Sequence, residues 1–189
     1  MRPGTQVLVV AAALLAGCDH GSSVDFSPFE GLYQIDSHTS NTNACDAEGP
    51  AVAGSDPMLV IFAYFAANVG DFAEADSCSD AAACRQRAAN PVPTVVSAAY
   101  FDANFTSPTA DGRGLTGASF SQDPSGTSAE VTQNLLTKTG NAIRIEKRRY
   151  QVPCQMRDGA CDRAATIAAA SSAPCTELRM VTASFLERL

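Results

Sequence analysis

The chain has 189 residues, with 13 Lys and Arg against 20 Asp and Glu, so its net charge at neutral pH is −7. This length fits one domain with a substantial core, and a hydrophobic content of 46% excludes wholesale disorder. The acidic balance argues against nucleic acid as a partner, because affinity for phosphate backbones depends on clustered Lys and Arg.

The start of the chain has the pattern of an export signal. Arg2 supplies a positive charge, residues 7–16 are apolar, and Ala16 and Gly17 are small enough for a processing enzyme. A membrane-spanning helix needs about 20 apolar residues, so this segment is too short to span. A buried core helix is the alternative, but the segment has no polar face and follows a Pro-Gly pair.

Leu15-Ala16-Gly17-Cys18 resembles the lipobox of bacterial lipoproteins. The resemblance implies that residues 1–17 are a signal peptide and that Cys18 carries a diacylglyceryl thioether and a further acyl chain, such as palmitate. Two or three acyl chains anchor a protein stably, since each buried CH₂ contributes about 0.8 kcal/mol. The expected location is a bacterial cell envelope, with the protein anchored to a membrane and facing the periplasm or the cell surface.

Six cysteines remain once Cys18 is assigned to lipid. An even set is typical of disulfides in an oxidising compartment. A structural zinc site is the alternative, but the two closest pairs have five and six intervening residues, whereas zinc prefers two to four. No metal and no cofactor is therefore expected. The local pair Cys78 and Cys84 is favoured, and the partners of the other four stay open: Cys45, Cys154, Cys161 and Cys175.

The predicted elements follow in chain order. Residues 18–28 form the acylated cysteine and a short polar tether, and residues 29–189 form a single domain. Residues 31–39 alternate apolar and polar side chains, which predicts a half-buried strand. Residues 41–56 are rich in turn formers, and the apolar run 58–65 predicts a central strand.

Two alanine-rich helices and five more strands complete the domain. The helices are predicted over 80–89, with Asp80 as the N-cap, and over 162–171. Gly140-Asn141 joins two alternating runs in the manner of a type II′ hairpin. The further strands are predicted over 95–101, 115–121, 129–137, 142–152 and 175–186, the last favoured over a helix because Val181 and Thr182 are β-branched.

This order predicts a mainly β (α+β) fold, an antiparallel sheet or a barrel with two short helices, tied by disulfides. Gly31-Leu32-Tyr33 is similar to the Gly-x-Trp that opens lipocalin barrels, which implies a closed barrel that carries a small apolar ligand. Residues 37–50 and 175–178 resemble envelope lipoproteins of the myxobacterial type, a group to which no activity is attached.

Few residues favour catalysis or metal binding. His38 is a candidate general base because its pKa lies near neutrality; the alternative, an imidazole hydrogen-bonded to a loop, is favoured, since no Gly-x-Ser-x-Gly elbow supplies a nucleophile. Asp71, Glu74 and Asp76 lack the spacing of a calcium loop, so a solvated acidic turn is expected. No catalytic residue and no enzymatic activity is predicted.

The basic cluster comprises Arg144, Lys147, Arg148 and Arg149. Such a cluster is a candidate contact for an envelope protein or an anionic glycan. Along a strand Arg144 and Arg148 face opposite to Lys147 and Arg149, so they do not form one dense anion site. The alternative is that these charges discourage edge-to-edge aggregation.

Together these features predict an exported, lipid-anchored envelope protein that acts as a binding or interaction module. A lipocalin-like carrier with an apolar pocket of several hundred Å³ is the alternative. An envelope hydrolase is favoured less, because it would need His38 beside a Ser or Asp in a cleft. The ligand, the partner and the oligomeric state are left open.

Overall fold

The computed structural model describes residues 24–42, 44–66, 70–90 and 100–189. The predicted signal peptide and Cys18 lie outside these residues, as do residues 95–99 of one predicted strand. In chain order the elements are β1 (Gly31–Asn41), β2 (Met58–Ala66), β3 (Gly70–Cys78), α1 (Ala81–Ala89), β4 (Asp102–Phe105), β5 (Ser107–Pro108), β6 (Gly114–Gln122), β7 (Ser128–Thr139), β8 (Ala142–Pro153), β9 (Met156–Arg157), β10 (Ala160–Cys161), α2 (Arg163–Ala169), a 3₁₀ turn (Ala170–Ser172) and β11 (Cys175–Glu187).

Nine strands form one antiparallel sheet that is nearly closed into a barrel. Along the sheet, successive strands of the chain pair with one another, and β11 pairs with both β8 and β1. The two ends of the sheet are β4, which pairs with β3, and β5, which pairs with β6; only Thr106 separates them. The prediction of a mainly β, disulfide-tied fold with two short helices is confirmed.

The prediction of an acidic turn at residues 71–76 is wrong, because this segment is the central part of strand β3. Ala73 and Ala75 belong to the main core, whereas Glu74 and Asp76 point to the opposite face of the strand. Ala and Asp are poor β formers, which is why the composition concealed the strand. The strand predicted over 95–101 is displaced too: Tyr100 and Phe101 precede β4.

Side chains on the inner wall of the barrel pack against one another. Since side chains alternate along a strand, every second residue points inward, and the apolar residues among them form one cluster. Phe26 and Phe29, which precede β1, cover one end of the cluster, and the Tyr33 hydroxyl donates to the Phe29 carbonyl over 2.6 Å. Fully buried members of the cluster include Tyr33, Leu59, Ile61, Phe101, Phe105, Leu115, Leu136, Ile145 and Val181.

Both helices pack on the outer wall and begin as predicted. The Asp80 carboxylate accepts from the Ala83 N–H over 2.8 Å, and the Asp162 carboxylate accepts from the Ala165 N–H over 3.0 Å. Each carboxylate satisfies a backbone donor in the first helical turn. Helix α1 covers β2 and β3 through Cys84, and α2 with the following turn covers Tyr150 and neighbouring apolar residues. Neither helix has the length and apolarity to cross a membrane, and no other helix in the described residues has them.

The two ends of the barrel differ. At one end, the disulfide end, lie the long connections that follow β1, β3 and β8 and the three cysteine pairs: Cys45–Cys175, Cys78–Cys84 and Cys154–Cys161. The favoured local pair is thus present, and the four open cysteines pair with Cα–Cα distances of 5.8 and 5.2 Å. At the other end, the tether end, lie residues 24–30, the Gly140-Asn141 turn and the last residues of the chain.

Candidate functional site

Strand β8 distributes the four predicted cations between the two walls. Val181 of β11 is opposite Ile145, and Arg179 is opposite Lys147, so Lys147 and Arg149 share the inward direction of Ile145. Arg144 and Arg148 lie on the outer wall with Glu146. The structure therefore brings the cations together in two pairs, with the alternation that the sequence predicts.

On the outer wall, one carboxylate lies between two guanidinium groups. Arg144 Nη2 is 3.0 Å from Glu146 Oε1, and Arg148 Nη2 is 2.8 Å from Glu146 Oε2. The Glu146 hydrogen bond raises the pKa of Arg148 further above its usual range. Asp46 and Glu48 flank the same surface from the loop after β1. The positive charge of this pair is thus largely compensated.

On the inner wall, at the disulfide end, the cations are paired as well. Lys147 Nζ donates to both the carbonyl and the carboxylate of Asp102, each over 2.9 Å. Glu177 accepts from Arg149 over 2.9 Å and from Arg179 over 2.8 Å. Burial alone would raise the pKa of Glu177, but the two guanidinium groups lower it overall. These ion pairs lie on the inner wall at the disulfide end, next to the apolar interior.

A groove lies on the outer wall over β6, β7 and β8, and we call it the outer groove. Its volume is about 540 Å³, in the range of small-ligand and side-chain pockets. Leu135 and Ala118 give it an apolar floor, and Gln133, Glu146 and Arg148 supply hydrogen-bonding groups. Other lining residues are Thr106, Thr116, Gly117, Asn134 and Tyr150. This combination suits a partner that offers apolar side chains and hydrogen-bonding groups.

The outer groove forms because residues on β6 are small. Thr116, Gly117 and Ala118 lie beside the longer side chains of β7 and β8, so the outer surface is recessed over β6. At Gly117 the chain also needs close contact: a Cβ at this position would lie 1.9 Å from the Asn104 carbonyl oxygen. Of the residues that line this groove, the sequence pointed only to Arg148. Its neighbours could not be identified, because the cross-strand register that brings them together is not visible in the sequence.

His38 is buried on the inner wall, with 4% of its surface exposed. Its ring makes an edge-to-face contact with Phe101, with 5.5 Å between the ring centroids. Burial and the nearby Arg179 guanidinium lower its pKa. Both ring nitrogens lack a hydrogen-bond partner among the described residues, so the expected hydrogen bond from the ring to the loop is absent. The His38 backbone carbonyl, in contrast, is hydrogen-bonded to the loop, accepting from the Val52 N–H over 2.9 Å.

A serine and an aspartate do lie near this part of the inner wall. Ser77 Oγ, however, donates to Asp56 Oδ2 over 2.8 Å. A nucleophile activated by a base requires a hydrogen bond between the two groups. Within the described ranges, His38 makes no such bond with a serine.

Glu74 and Asp76 share a cation from helix α1. Arg87 Nη2 is 3.1 Å from Glu74 Oε1, and its Nε contacts Asp76 Oδ2. Burial and the neighbouring Asp76 charge raise the pKa of Glu74 to about 7. Burial also raises the pKa of Asp76, although Tyr100 and Arg87 oppose the shift by hydrogen bonding. In the part of the chain that the structure describes, no three His, Cys, Asp or Glu side chains are grouped as a metal site.

No family model matches the chain, and no match was found among curated proteins or solved structures.

Proposed function

We propose that the chain is an exported, lipid-anchored protein of a bacterial envelope whose barrel acts as an interaction module. The observation that carries this proposal is the cysteine pairing. Six of the seven cysteines lie in three disulfides, and the seventh is Cys18 of the lipobox-like sequence. Stable disulfides are characteristic of oxidising compartments outside the cytoplasm.

Interaction through the surface is favoured over carriage inside the barrel. A carrier of the lipocalin type needs an internal cavity for its ligand. Here large side chains, among them Tyr33, Phe101 and Phe105, fill the inner wall and are fully buried. The 540 Å³ groove lies instead on the outer wall, where a partner can reach it.

The outer groove is therefore the proposed contact surface. A partner placed there would meet Leu135 and Ala118 in the floor and the Glu146–Arg148 ion pair at the side. Exposed ion pairs at the rim of an interface contribute specificity more than affinity. The apolar floor is expected to supply most of the binding free energy.

Photo-crosslinking in the native cells tests this surface. A benzoyl-phenylalanine in place of Gln133 lies in the groove, whereas the same residue in place of Arg113 lies in an exposed turn at the tether end and serves as the matched control. We expect a discrete adduct from position 133 only, and its loss when Leu135→Glu is added. Identical adducts from both positions, or an adduct that survives Leu135→Glu, would contradict the proposed surface.

A further inference from the structure

Among the described residues, no strand pairs with the outer edge of β6 beyond Gly117. The Thr106 N–H donates to the Thr116 carbonyl and the Thr109 N–H to the Gly114 carbonyl, each over 2.9 Å. Even-numbered residues of β6 therefore point their backbone groups away from β7. The N–H and C=O groups of Ala118, Phe120 and Gln122 point the same way, and within the described ranges they have no hydrogen-bond partner.

The edge is open because the preceding strand turns away from it. β5 pairs only with Leu115 and Thr116. Before Thr106 the chain crosses the inner wall, where the Asn134 side chain donates to the Asn104 carbonyl over 3.0 Å and Gly117 permits close approach. In the part of the chain that the structure describes, no strand pairs with residues 118–122 on that side, over about 17 Å, the length of five extended residues.

The sequence of this edge lacks two of the usual protections against added strands, charged side chains and proline. Natural sheets protect exposed edges with charged side chains, prolines or bulges. Residues 117–122 read Gly-Ala-Ser-Phe-Ser-Gln and contain no charge and no proline, although the chain as a whole carries a net charge of −7. The outer groove begins at the same place, since Thr116, Gly117 and Ala118 form one side of it.

We propose that residues 118–122 accept an extended peptide segment of a partner protein as an added strand in line with β5. Its backbone pairs with Ala118, Phe120 and Gln122, and its outward side chains lie in the outer groove. Addition of a strand to a sheet edge is a general mode of peptide recognition. The inference rests on the proposed interaction surface and specifies the conformation of the partner there.

A peptide fits this edge better than a second folded copy of the chain. A specific interface between folded proteins buries at least about 1,000 Å² in total. Five edge residues offer much less than that, whereas they suffice for a short extended segment whose side chains are received by a neighbouring groove.

The test uses a capped synthetic heptapeptide, Thr-Gly-Ala-Ser-Phe-Ser-Gln, and amide hydrogen exchange of the purified protein by NMR. The peptide repeats residues 116–122, which already form a strand in this sheet. At millimolar peptide we expect exchange at Ala118, Phe120 and Gln122 to slow at least fivefold. Exchange at Ser119 and Ser121 is expected to stay unchanged, because their amides already face β7.

Two variants separate edge pairing from other effects. Ala118→Pro removes an N–H that the folded sheet does not use, and it is expected to abolish the protection. Ala118→Val keeps the N–H and should keep the protection. Should Ala118→Pro fail to fold, the exchange pattern of the unmodified protein still decides the matter.

Three outcomes would overturn the proposal. The first is that the outward amides are already protected without peptide, which would mean that another part of the chain fills the edge. The second is that the peptide protects other residues or none. The third is that sedimentation shows that a second copy pairs there. If the crosslink from position 133 depends on Leu135 but the peptide leaves the edge unprotected, only strand addition fails and the groove remains the contact surface. If the peptide protects the edge but position 133 gives no crosslink that depends on Leu135, the proposed envelope partner in the groove is contradicted and the peptide site at the edge remains.

Discussion

At the scale of single residues, buried ionisable groups set the response of the barrel to pH. His38 and Glu74 lie on opposite faces of the wall and are shifted in opposite charge senses: burial disfavours the cation of one and the anion of the other. Neither shift was predictable from the sequence, because both depend on which face of a strand the residue occupies.

His38→Leu is expected to remove a loss of stability at acidic pH. The pKa of His38 is lowered in the folded state, so the unfolded chain binds a proton first as the pH falls below about 6.5. The native protein therefore loses stability in that range, and the variant does not. Urea unfolding at pH 5 and pH 8 measures this: the stability of the variant relative to the native protein should be greater at pH 5. An equal stability difference at the two pH values would mean that the pKa of His38 is not lowered in the folded protein.

Glu74→Gln is expected to have the opposite pH dependence. The pKa of Glu74 is about 7 in the folded protein, above the ordinary 4.5. Its contribution to stability is thus present below pH 4.5 and is lost as the pH rises through 7. Between pH 5 and pH 8 the variant should gain about 2 kcal/mol relative to the native protein. A constant difference across this range would mean that Glu74 stays ionised beside Arg87.

At the scale of elements, the near closure of the barrel depends on Gly117. Here β4 lies against β6 so closely that a side chain would meet the Asn104 carbonyl. Gly117→Ala should therefore reduce the free energy of unfolding by about 2 kcal/mol or more, since backbone must move to relieve the overlap. Ala118→Val, on the half-exposed outer wall, is the matched control and should change it by less than about 1 kcal/mol. Similar effects of the two substitutions in denaturant unfolding would place β4 farther from β6.

The disulfides are expected to differ in their contributions. Cys45–Cys175 spans 130 residues, whereas Cys154–Cys161 spans 7. Loop-closure entropy gives about 5 kcal/mol for the first and about 2.5 kcal/mol for the second. Paired Cys→Ser variants, compared by thermal and urea unfolding, should therefore show the larger loss for residues 45 and 175. A larger loss for residues 154 and 161 would contradict the entropic explanation.

The sequence predicted the elements that carry strong local signals. The turn at Gly140-Asn141, the Asp80 cap and alanine-rich composition of the helices, and the alternation in β1 placed these elements within a few residues of their observed bounds. It missed β3, whose inward residues are Ala73, Ala75 and Ser77, too small to mark a strand. The groove and the Glu177–Arg179 pairing were not predictable, because both depend on cross-strand register between distant segments.

At the scale of the whole molecule, the arrangement of the two ends agrees with the proposed lipid anchor. Residue 24 packs against the core at the tether end. Only five residues lie between it and Cys18, so the two are at most about 20 Å apart even when the chain is fully extended. An acylated Cys18 would therefore hold the tether end close to the bilayer. The disulfide end and its long connections would then face away from the membrane, toward soluble partners.

The most direct measurement is intact mass spectrometry of the protein isolated from its native cells under non-reducing conditions. We expect a chain that begins at Cys18, carries a diacylglyceryl group and a further acyl chain, and lacks six hydrogens because three disulfides have formed. A chain that still begins at Met1, without lipid and with free thiols at residues 45, 78, 84, 154, 161 and 175, would contradict the proposed export and anchoring.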